Sequence, residues 1–222
     1  MTGCCDPRGY DATFTPRFAH RLARRYRRRG LDRLSAQVVQ RCVDHGIEGA
    51  TVLEIGGGVG SLHLELLRRG AATATNLELA GTYEHDAAEL LAEAGLTDRV
   101  QCRLLDLATD PDGVESADVV VLNRVVCCYP DLAGLLGAAA GHARRLVVLT
   151  YPRPSVVTRA ILVAENAVEA LFGRTYRAFA HPPEEILAVL RAHGLEPAPD
   201  RRGGLWCLVS ATRAPVPGTS AA

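Results

Sequence analysis

Apolar positions along the chain follow two alternating patterns: short continuous runs, and segments in which an apolar residue recurs every three or four positions. The first pattern is typical of buried parallel strands and the second of amphipathic helices. The short runs predict five strands, at Thr51–Ile55, Ala74–Leu79, Val100–Leu105, Asp118–Leu122 and Leu146–Thr150. The periodic segments predict helices at Thr13–Arg29, Ser35–Asp44, Ser61–Arg69, Thr82–Ala94 and Asp131–His142. This alternation indicates an α/β fold with a doubly wound, mostly parallel sheet.

The pattern changes after the fifth strand, where Pro152 and Pro154 interrupt the chain. Residues 155–172 then show apolar residues at helical spacing, which predicts an inserted helix that lies over the binding site as a lid. A shorter helix is predicted at Glu184–Ala192. The lid helix therefore separates the five-stranded core from the final part of the fold.

The end of the chain predicts a β-hairpin, formed by Leu195–Ala198 and Leu205–Ala211 with its turn at Gly203-Gly204. This hairpin would complete a seven-stranded sheet with an antiparallel last strand. We expect three regions in all: an N-terminal arm and helices that cover the ligand, the core with its lid helix, and a flexible tail, at residues 1–46, 47–212 and 213–222.

Composition supports a single globular unit, because hydrophobic residues make up 48% of the 222 residues. The formal net charge is zero, which gives no whole-chain reason to expect nucleic acid as a partner. Seven arginines nevertheless lie between Arg17 and Arg29. They indicate either a patch for an anionic partner or the solvated face of an amphipathic helix.

The chain has seven cysteines, an odd number, and the sequence shows no secretory signal and no apolar run of about 20 residues. These features predict a cytoplasmic protein with free thiols and no membrane segment. Two vicinal cysteine pairs stand out, Cys4-Cys5 and Cys127-Cys128.

A glycine-rich turn is the most informative stretch of the sequence. The strand that ends at Ile55 is followed by Gly56, Gly57, Gly58 and Gly60, and then by a helix. Strand, glycine turn and helix open the nucleotide-binding unit of α/β proteins, because glycines let the backbone approach a ligand closely. A small molecule that contains a nucleoside is therefore the expected ligand.

Two classes of cofactor compete for this turn. A dinucleotide site would have a third glycine at position 61, where this chain has Ser61. Glu54, two residues before Gly56, would repel a pyrophosphate but suits a cationic ligand without phosphates. Glu78, at the end of the second strand, is placed to accept both hydroxyls of a ribose. These flanking acids favour S-adenosylmethionine over a nicotinamide dinucleotide.

Four stretches together resemble the class I S-adenosylmethionine-dependent methyltransferases of the small-molecule type. They are VLEIGGGVG at 52–60, NLEL at 76–79, LLDL at 104–107 and DVVVLNRVVCCYPD at 118–131. The resemblance spans residues 51–150 and implies the Rossmann-like methyltransferase fold. It implies methyl transfer from S-adenosylmethionine to a small-molecule acceptor, mainly through proximity and alignment.

The resemblance also implies cofactor contacts. Gly56, Gly58 and Gly60 would lie against the amino-acid part of the cofactor, and Glu78 would hold the ribose. Further contacts would come from Asp106 and Leu107 at the adenine, Asn123 and Arg124 near the sulfonium, and Tyr10 in an arm folded across the cofactor.

A more partial resemblance, to the porphyrin-methylating branch of the family, rests on VVCCYPD, the YPRP segment and RGGLW near the end of the chain. Cys128-Tyr129-Pro130 stands where that branch has His-Tyr-Pro, which is a departure from its pattern.

Catalytic residues are less evident, because a general base is needed only when the acceptor carries a proton at working pH. The candidates are His181, Arg124 and Tyr129, which follow the strands whose C-terminal ends form the binding edge.

Two alternatives remain open. The chain would act as a cofactor-binding module without catalysis, or it would methylate a soft thiol or metalloid acceptor held by Cys4, Cys5, Cys127 and Cys128. The cysteine spacing matches no zinc finger or ribbon, so no metal is expected otherwise.

Overall fold

A computed structural model describes residues 9–198 and 201–214 of the chain. The helices are α1 to α8, at Tyr10–Thr13, Pro16–Arg29, Arg33–Asp44, Ser61–Arg68, Glu84–Ala94, Leu132–His142, Val156–Leu171 and Pro183–Ala192. The strands are β1 to β8, at Thr51–Ile55, Thr73–Glu78, Val100–Leu104, Ala117–Leu122, Ala143–Pro152, Leu195–Pro197, Arg201–Gly203 and Trp206–Arg213. Within the described ranges, no helix is both long and apolar enough to span a bilayer.

The strands form one mixed sheet in the order β3-β2-β1-β4-β5-β8-β6, with β7 also paired to β8. Strands β1 to β5 are parallel, and β8 runs antiparallel to β5. The predicted doubly wound sheet with an antiparallel end is thus confirmed. The strand order reverses between β1 and β4, which is the switch point where open α/β sheets bind ligands.

Both faces of the sheet are covered, which explains the continuous apolar run of β4. Val119 and Val121 pack in the cluster that α3 and α4 complete, while Val120 and Leu122 pack in the cluster of α6 and α8. Successive side chains of a strand point to opposite faces, so a strand buried on both sides has no polar alternation.

The outer edge of the sheet differs from the predicted hairpin. Strand β7 forms the tight turn with β8, and Gly203 is paired with Trp206. Strand β6 pairs farther along β8, where Leu195 lies opposite Arg213. The prediction missed β7 because three residues are too few to show a period. Strand β8 also extends to Arg213, into the predicted tail, of which residues 215–222 lie outside the described residues.

The N-terminal helices form a layer over one end of the sheet. The predicted single helix from Thr13 is broken, because Thr15 caps α2 by accepting the Phe18 N–H and Pro16 begins the new helix. Arg27 of α2 is paired with Glu89 and Glu93 of α5, which ties this layer to the core.

The inserted helix is present as α7, with Ser155 as its N-cap. Its apolar stripe does not face the protein, because Val157 and Leu171 are mostly exposed. Its buried positions are instead polar, Thr158 and Glu169. Glu169 accepts a hydrogen bond from Thr13 and is paired with Arg174. Polar contacts with distant segments therefore decide which side of α7 faces the protein.

Candidate active site

A cavity of about 310 Å³ lies at the switch point, between the C-terminal strand ends and the N-terminal layer. This volume is at the lower end of the range for small-molecule pockets, about 300–1,000 Å³. The glycine turn and the ends of β2 and β4 form one wall. The opposite wall is an aromatic and aliphatic stripe from the N-terminal layer, formed by Phe14, Phe18, Leu22 and Tyr26. The four-residue spacing of this stripe predicted an apolar helix face but gave no sign that it lines a cavity.

The glycine turn contributes Gly56, Gly57 and Gly58 to the cavity wall. Gly58 has φ 58°, a left-handed conformation that residues with a Cβ seldom adopt. Gly56 donates its N–H to the Leu77 carbonyl at 2.7 Å, which holds the turn against β2. The turn therefore presents backbone rather than side chains to a ligand, as the sequence predicts.

Gly60 is the one glycine of this predicted set that is absent from the cavity wall among the described residues. It precedes α4 with φ 79°, and a Cβ there would lie 2.5 Å from the His63 ring. The prediction placed Gly60 against the cofactor. In the structure, a glycine is needed at this position because any side chain would collide with the buried ring of His63.

His63 forms a buried pair with Glu54, which the sequence reasoning missed. The ring Nδ1 and the backbone N–H of His63 both contact Glu54 Oε2, at 2.7 and 3.1 Å. The His63 side chain is inaccessible to solvent and that of Glu54 is almost fully buried, and His63 Nε2 has no hydrogen-bond partner in the described part of the chain. Glu54 also lines the cavity, so His63 orients the acid that was predicted to face the cofactor.

Glu78 ends β2 at the cavity wall, as predicted. Its carboxylate accepts the Gly58 N–H and, at 3.2 Å, the Leu79 N–H. Burial is the largest influence on this group and raises the pKa of Glu78 from an ordinary 4.5 to about 7. The carboxylate is thus held in position beside the glycine turn, at a site where its ionised form is costly.

Asp106 and Leu107 also line the cavity. Asp106 accepts the Ala108 N–H at 3.2 Å and the Tyr129 hydroxyl at 2.9 Å. Tyr129, a catalytic candidate, therefore lies on the wall and fixes the carboxylate of Asp106. A positioning role for this tyrosine follows directly from the contact.

Asn123 and Arg124 follow β4 on the cavity wall. The Asn123 amide donates to Ser35 at 3.1 Å and accepts from Thr150 at 3.0 Å. The Arg124 guanidinium makes a bidentate pair with Asp32, at 2.9 and 3.1 Å, and lies 5.6 Å from the centre of the Trp206 ring. Arg124 has φ 63°, an unusual conformation for a residue with a side chain. These contacts anchor the loop after β4 to α3 and to the edge of the sheet.

Tyr10 closes the cavity from the N-terminal side. Its hydroxyl donates to the Cys128 carbonyl at 2.8 Å, and its ring stacks on Phe14 with 6.2 Å between centroids. Tyr10 thus joins the start of the described N-terminal segment to the loop after β4.

His181, another catalytic candidate, is not among the described residues of the cavity wall. Its Nε2 lies 2.9 Å from the Tyr129 carbonyl, and its ring stacks on Phe179. The chain before α8 thus places this histidine against the backbone of Tyr129, one residue removed from the cavity.

The vicinal thiols after β4 lie beside the site. Cys128 lines the cavity, its sulfur is 3.7 Å from that of Cys127, and the Tyr176 hydroxyl donates to it at 3.2 Å. The hydrogen bond from Cys127 is the largest cause that lowers the pKa of Cys128. In the described residues no three His, Cys, Asp or Glu side chains are grouped as a metal site. Cys4 and Cys5, the other half of the predicted soft site, lie outside those residues.

Comparison with solved structures gives the same fold in proteins of low sequence identity. Magnesium protoporphyrin IX methyltransferase (ChlM) from Synechocystis PCC 6803, with bound SAH, superposes with a TM-score of 0.71 and 21% identity, over 93% of this chain and 97% of that chain. An O-methyltransferase family protein from Burkholderia thailandensis gives a TM-score of 0.71 and 23% identity, over 93% of this chain and 63% of that chain. The [4+2]-cyclase SpnF gives a TM-score of 0.63 and 16% identity, over 82% of this chain and 80% of that chain.

No curated protein sequence matches the chain. A family model described as a methyltransferase domain matches residues 18–201, which include most of α2, the described cavity wall from Phe18 onward and α7. This match confirms the resemblance carried by the glycine turn and its flanking acids, and the chain therefore belongs to the methyltransferase-domain family of S-adenosylmethionine-dependent enzymes.

Proposed function

We propose that the cavity binds S-adenosylmethionine along the glycine turn and a small-molecule acceptor against the aromatic stripe of the N-terminal layer. One observation carries this proposal: a single cavity joins a nucleoside-type wall to an apolar wall. The first wall carries Glu78 beside Gly58, and the second carries Phe14 and Phe18. Two chemically different walls are what a reaction between a nucleoside-bearing donor and an apolar acceptor requires.

When bound, S-adenosylmethionine supplies an electrophilic methyl group together with its leaving group. The chain's own residues bind the cofactor and orient it. The ionised carboxylate of Glu78 would accept hydroxyl hydrogen bonds, and Asp106, fixed by Tyr129, would offer an acceptor to an adenine edge. Glu54 places a negative charge by the turn, which suits a cationic ligand. Gly56 and Gly58 leave room for close approach of the ligand to the backbone.

The acceptor side is apolar, with cationic groups at two points. Arg25 and Arg124 are the arginines among the described wall residues. Arg124 is held by Asp32, so its position is fixed before any ligand binds. We propose an acceptor with an apolar ring or chain surface and a polar group near Arg124. Alignment of that acceptor would provide most of the rate enhancement.

We further propose a cytoplasmic location and no nucleic-acid partner. The five cysteines in the described residues are free thiols, which supports a reducing compartment. The zero net charge gives no overall attraction to nucleic acid.

The test uses purified full-length protein, S-adenosylmethionine labelled in its methyl group, and a pool of small molecules fractionated by chromatography. We expect label to move into an apolar fraction, and much slower movement with Glu78→Gln when S-adenosylmethionine is below its Kd. Binding of S-adenosylmethionine without transfer to any fraction would favour the non-catalytic module. A response to NAD but not to S-adenosylmethionine would refute the assignment altogether.

A further inference from the structure

The outer side of α7 is an apolar surface that no described residue covers. Across a helix with 3.6 residues per turn, its apolar residues occupy about half of the circumference. This α7 face consists of Val156, Val157, Ala160, Ile161, Val163, Ala164, Ala167, Val168, Leu171 and Phe172, all of which are exposed. Seven of the nine large exposed hydrophobic residues of the described chain belong to it, so the exposure is concentrated on one element.

The α7 face is not explained by the packing of the helix. The opposite side of α7 docks on the protein through polar contacts, including the Asn166 amide, which bonds both backbone groups of Ala178 at 2.7 and 2.9 Å. Val156 and Leu171, at the two ends of the face, are 84% and 83% exposed. In addition, no α7 residue is among the described residues of the cavity wall. Contiguous apolar patches of this kind mark interaction sites.

Charges around the α7 face indicate the nature of the partner. Arg153 and Arg159 lie at its N-terminal end, exposed and without an ion-pair partner in the described part of the chain. Arg174 and Arg177 follow its C-terminal end. Leu205, also exposed, lies near the N-terminal end of α7, since its carbonyl accepts the Arg153 N–H at 2.8 Å.

The neighbouring α2 adds further positive charge. Leu162 of α7 and the Phe14–Phe18 part of the N-terminal layer pack in one cluster, so the two helices belong to the same layer. Of the seven arginines on α2, only Arg27 has an ion-pair partner within the described ranges. The layer thus combines an exposed apolar helix face with uncompensated cations.

We propose that the α7 face binds the surface of a membrane that contains anionic lipids. Apolar side chains would enter the boundary between headgroups and acyl chains, while Arg153, Arg159 and the α2 arginines other than Arg25 and Arg27 would contact lipid phosphates. A second copy of the chain fits less well. Parallel pairing of α7 helices would bring Arg153 and Arg159 of the two copies together, and antiparallel pairing would bring them towards Arg177, whereas Arg174 is already paired with Glu169.

Sedimentation of the full-length protein with lipid vesicles tests this proposal without cofactor, so its outcome is independent of methyl transfer. We expect binding to phosphatidylcholine vesicles that contain 30% phosphatidylglycerol to be at least tenfold tighter than to pure phosphatidylcholine. Val157→Glu combined with Leu171→Glu should weaken that binding at least tenfold. Leu104→Glu is the matched control because Leu104 is 65% exposed on the edge strand β3 and does not belong to the α7 face, and it should bind like the unmodified chain.

Arg153→Glu combined with Arg159→Glu should abolish the preference for anionic vesicles, and circular dichroism would confirm that each variant is folded. Absence of vesicle binding, or equal binding by the Val157 and Leu171 double variant, would overturn the proposal. The proposal would also be overturned if light scattering showed that the unmodified chain is a dimer, that the Val157 and Leu171 double variant is a monomer, and that neither binds vesicles.

Discussion

Glu78 links cofactor affinity to pH. In the cofactor-free protein its pKa is raised to about 7, because burial disfavours the carboxylate more than the N–H groups of Gly58 and Leu79 favour it. Ribose hydroxyl groups would donate to the ionised form and lower the pKa towards the ordinary 4.5. Each tenfold change in acidity corresponds to about 1.4 kcal/mol, so the coupling between proton loss and binding amounts to about 3 kcal/mol.

The sign follows from the protonation states. Above about pH 7 the carboxylate is already ionised and affinity is constant, whereas below pH 7 binding must first displace a proton. We therefore expect the Kd for S-adenosylmethionine to rise by about 50- to 100-fold between pH 8 and pH 5. Isothermal titration calorimetry at a series of pH values measures this dependence directly, and it also reports the proton released on binding.

Glu78→Gln removes the titrating group while keeping the side-chain volume. At pH 8 the variant should bind about 30-fold more weakly, since it loses hydrogen bonds to a charged acceptor worth about 2 kcal/mol. At pH 5 the two proteins should bind within a factor of three of each other. Glu115→Gln, an exposed acid that precedes β4, is the control and should follow the unmodified protein. A flat pH profile for the unmodified protein, with full affinity in Glu78→Gln, would refute the reasoning.

Three further predictions concern the groups around the cavity. His63→Ala should lower the free energy of unfolding by about 2–4 kcal/mol in urea denaturation, because it leaves a cavity and a buried Glu54 without its partner. His85→Ala, at an exposed position, is the control and should change the free energy of unfolding by less than about 0.5 kcal/mol. Equal effects of the two substitutions would contradict the buried pair. Tyr129→Phe should weaken S-adenosylmethionine binding about three- to tenfold, as measured by calorimetry, since Asp106 loses the hydroxyl that fixes its carboxylate. Unchanged affinity would show that Asp106 needs no such support. At pH 7.5 iodoacetamide should label Cys128 faster than Cys127, as followed by mass spectrometry, because the pKa of Cys128 is lowered and that of Cys127 is raised. Tyr176→Phe should slow the labelling of Cys128 by removing a hydrogen-bond donor to its sulfur. Faster labelling of Cys127 than of Cys128 would contradict this order.

Local patterns were sufficient to predict the core of the fold. The apolar runs of β1, β2, β4 and β5 and the glycine turn gave the parallel sheet, since these strands carry buried residues and are bounded by turn residues. Strand β3 has no fully buried residue, and it was predicted from its place in the strand and helix alternation. Glu78 was located correctly because the end of β2 is fixed by the same pattern. These features depend on neighbours in sequence, which a single chain reveals.

Features that depend on distant segments were missed. The Glu54–His63 pair forms only when β1 and α4 pack together. The orientation of α7 depends on partners near Thr13 and Ala178, so its apolar stripe gave no indication of the side that faces the protein. His181 lies behind Tyr129 because of the path of the chain before α8, which has no periodic signal.

A crystal structure of the full-length protein with S-adenosylhomocysteine would test the central claim most directly. We predict that the ribose hydroxyls contact the Glu78 carboxylate, that the adenine lies beside Asp106 and Leu107, and that the amino-acid part lies along Gly56 and Gly58. The sulfur should face the aromatic stripe of the N-terminal layer. A ligand bound elsewhere, or a ribose that makes no contact with Glu78, would contradict the account.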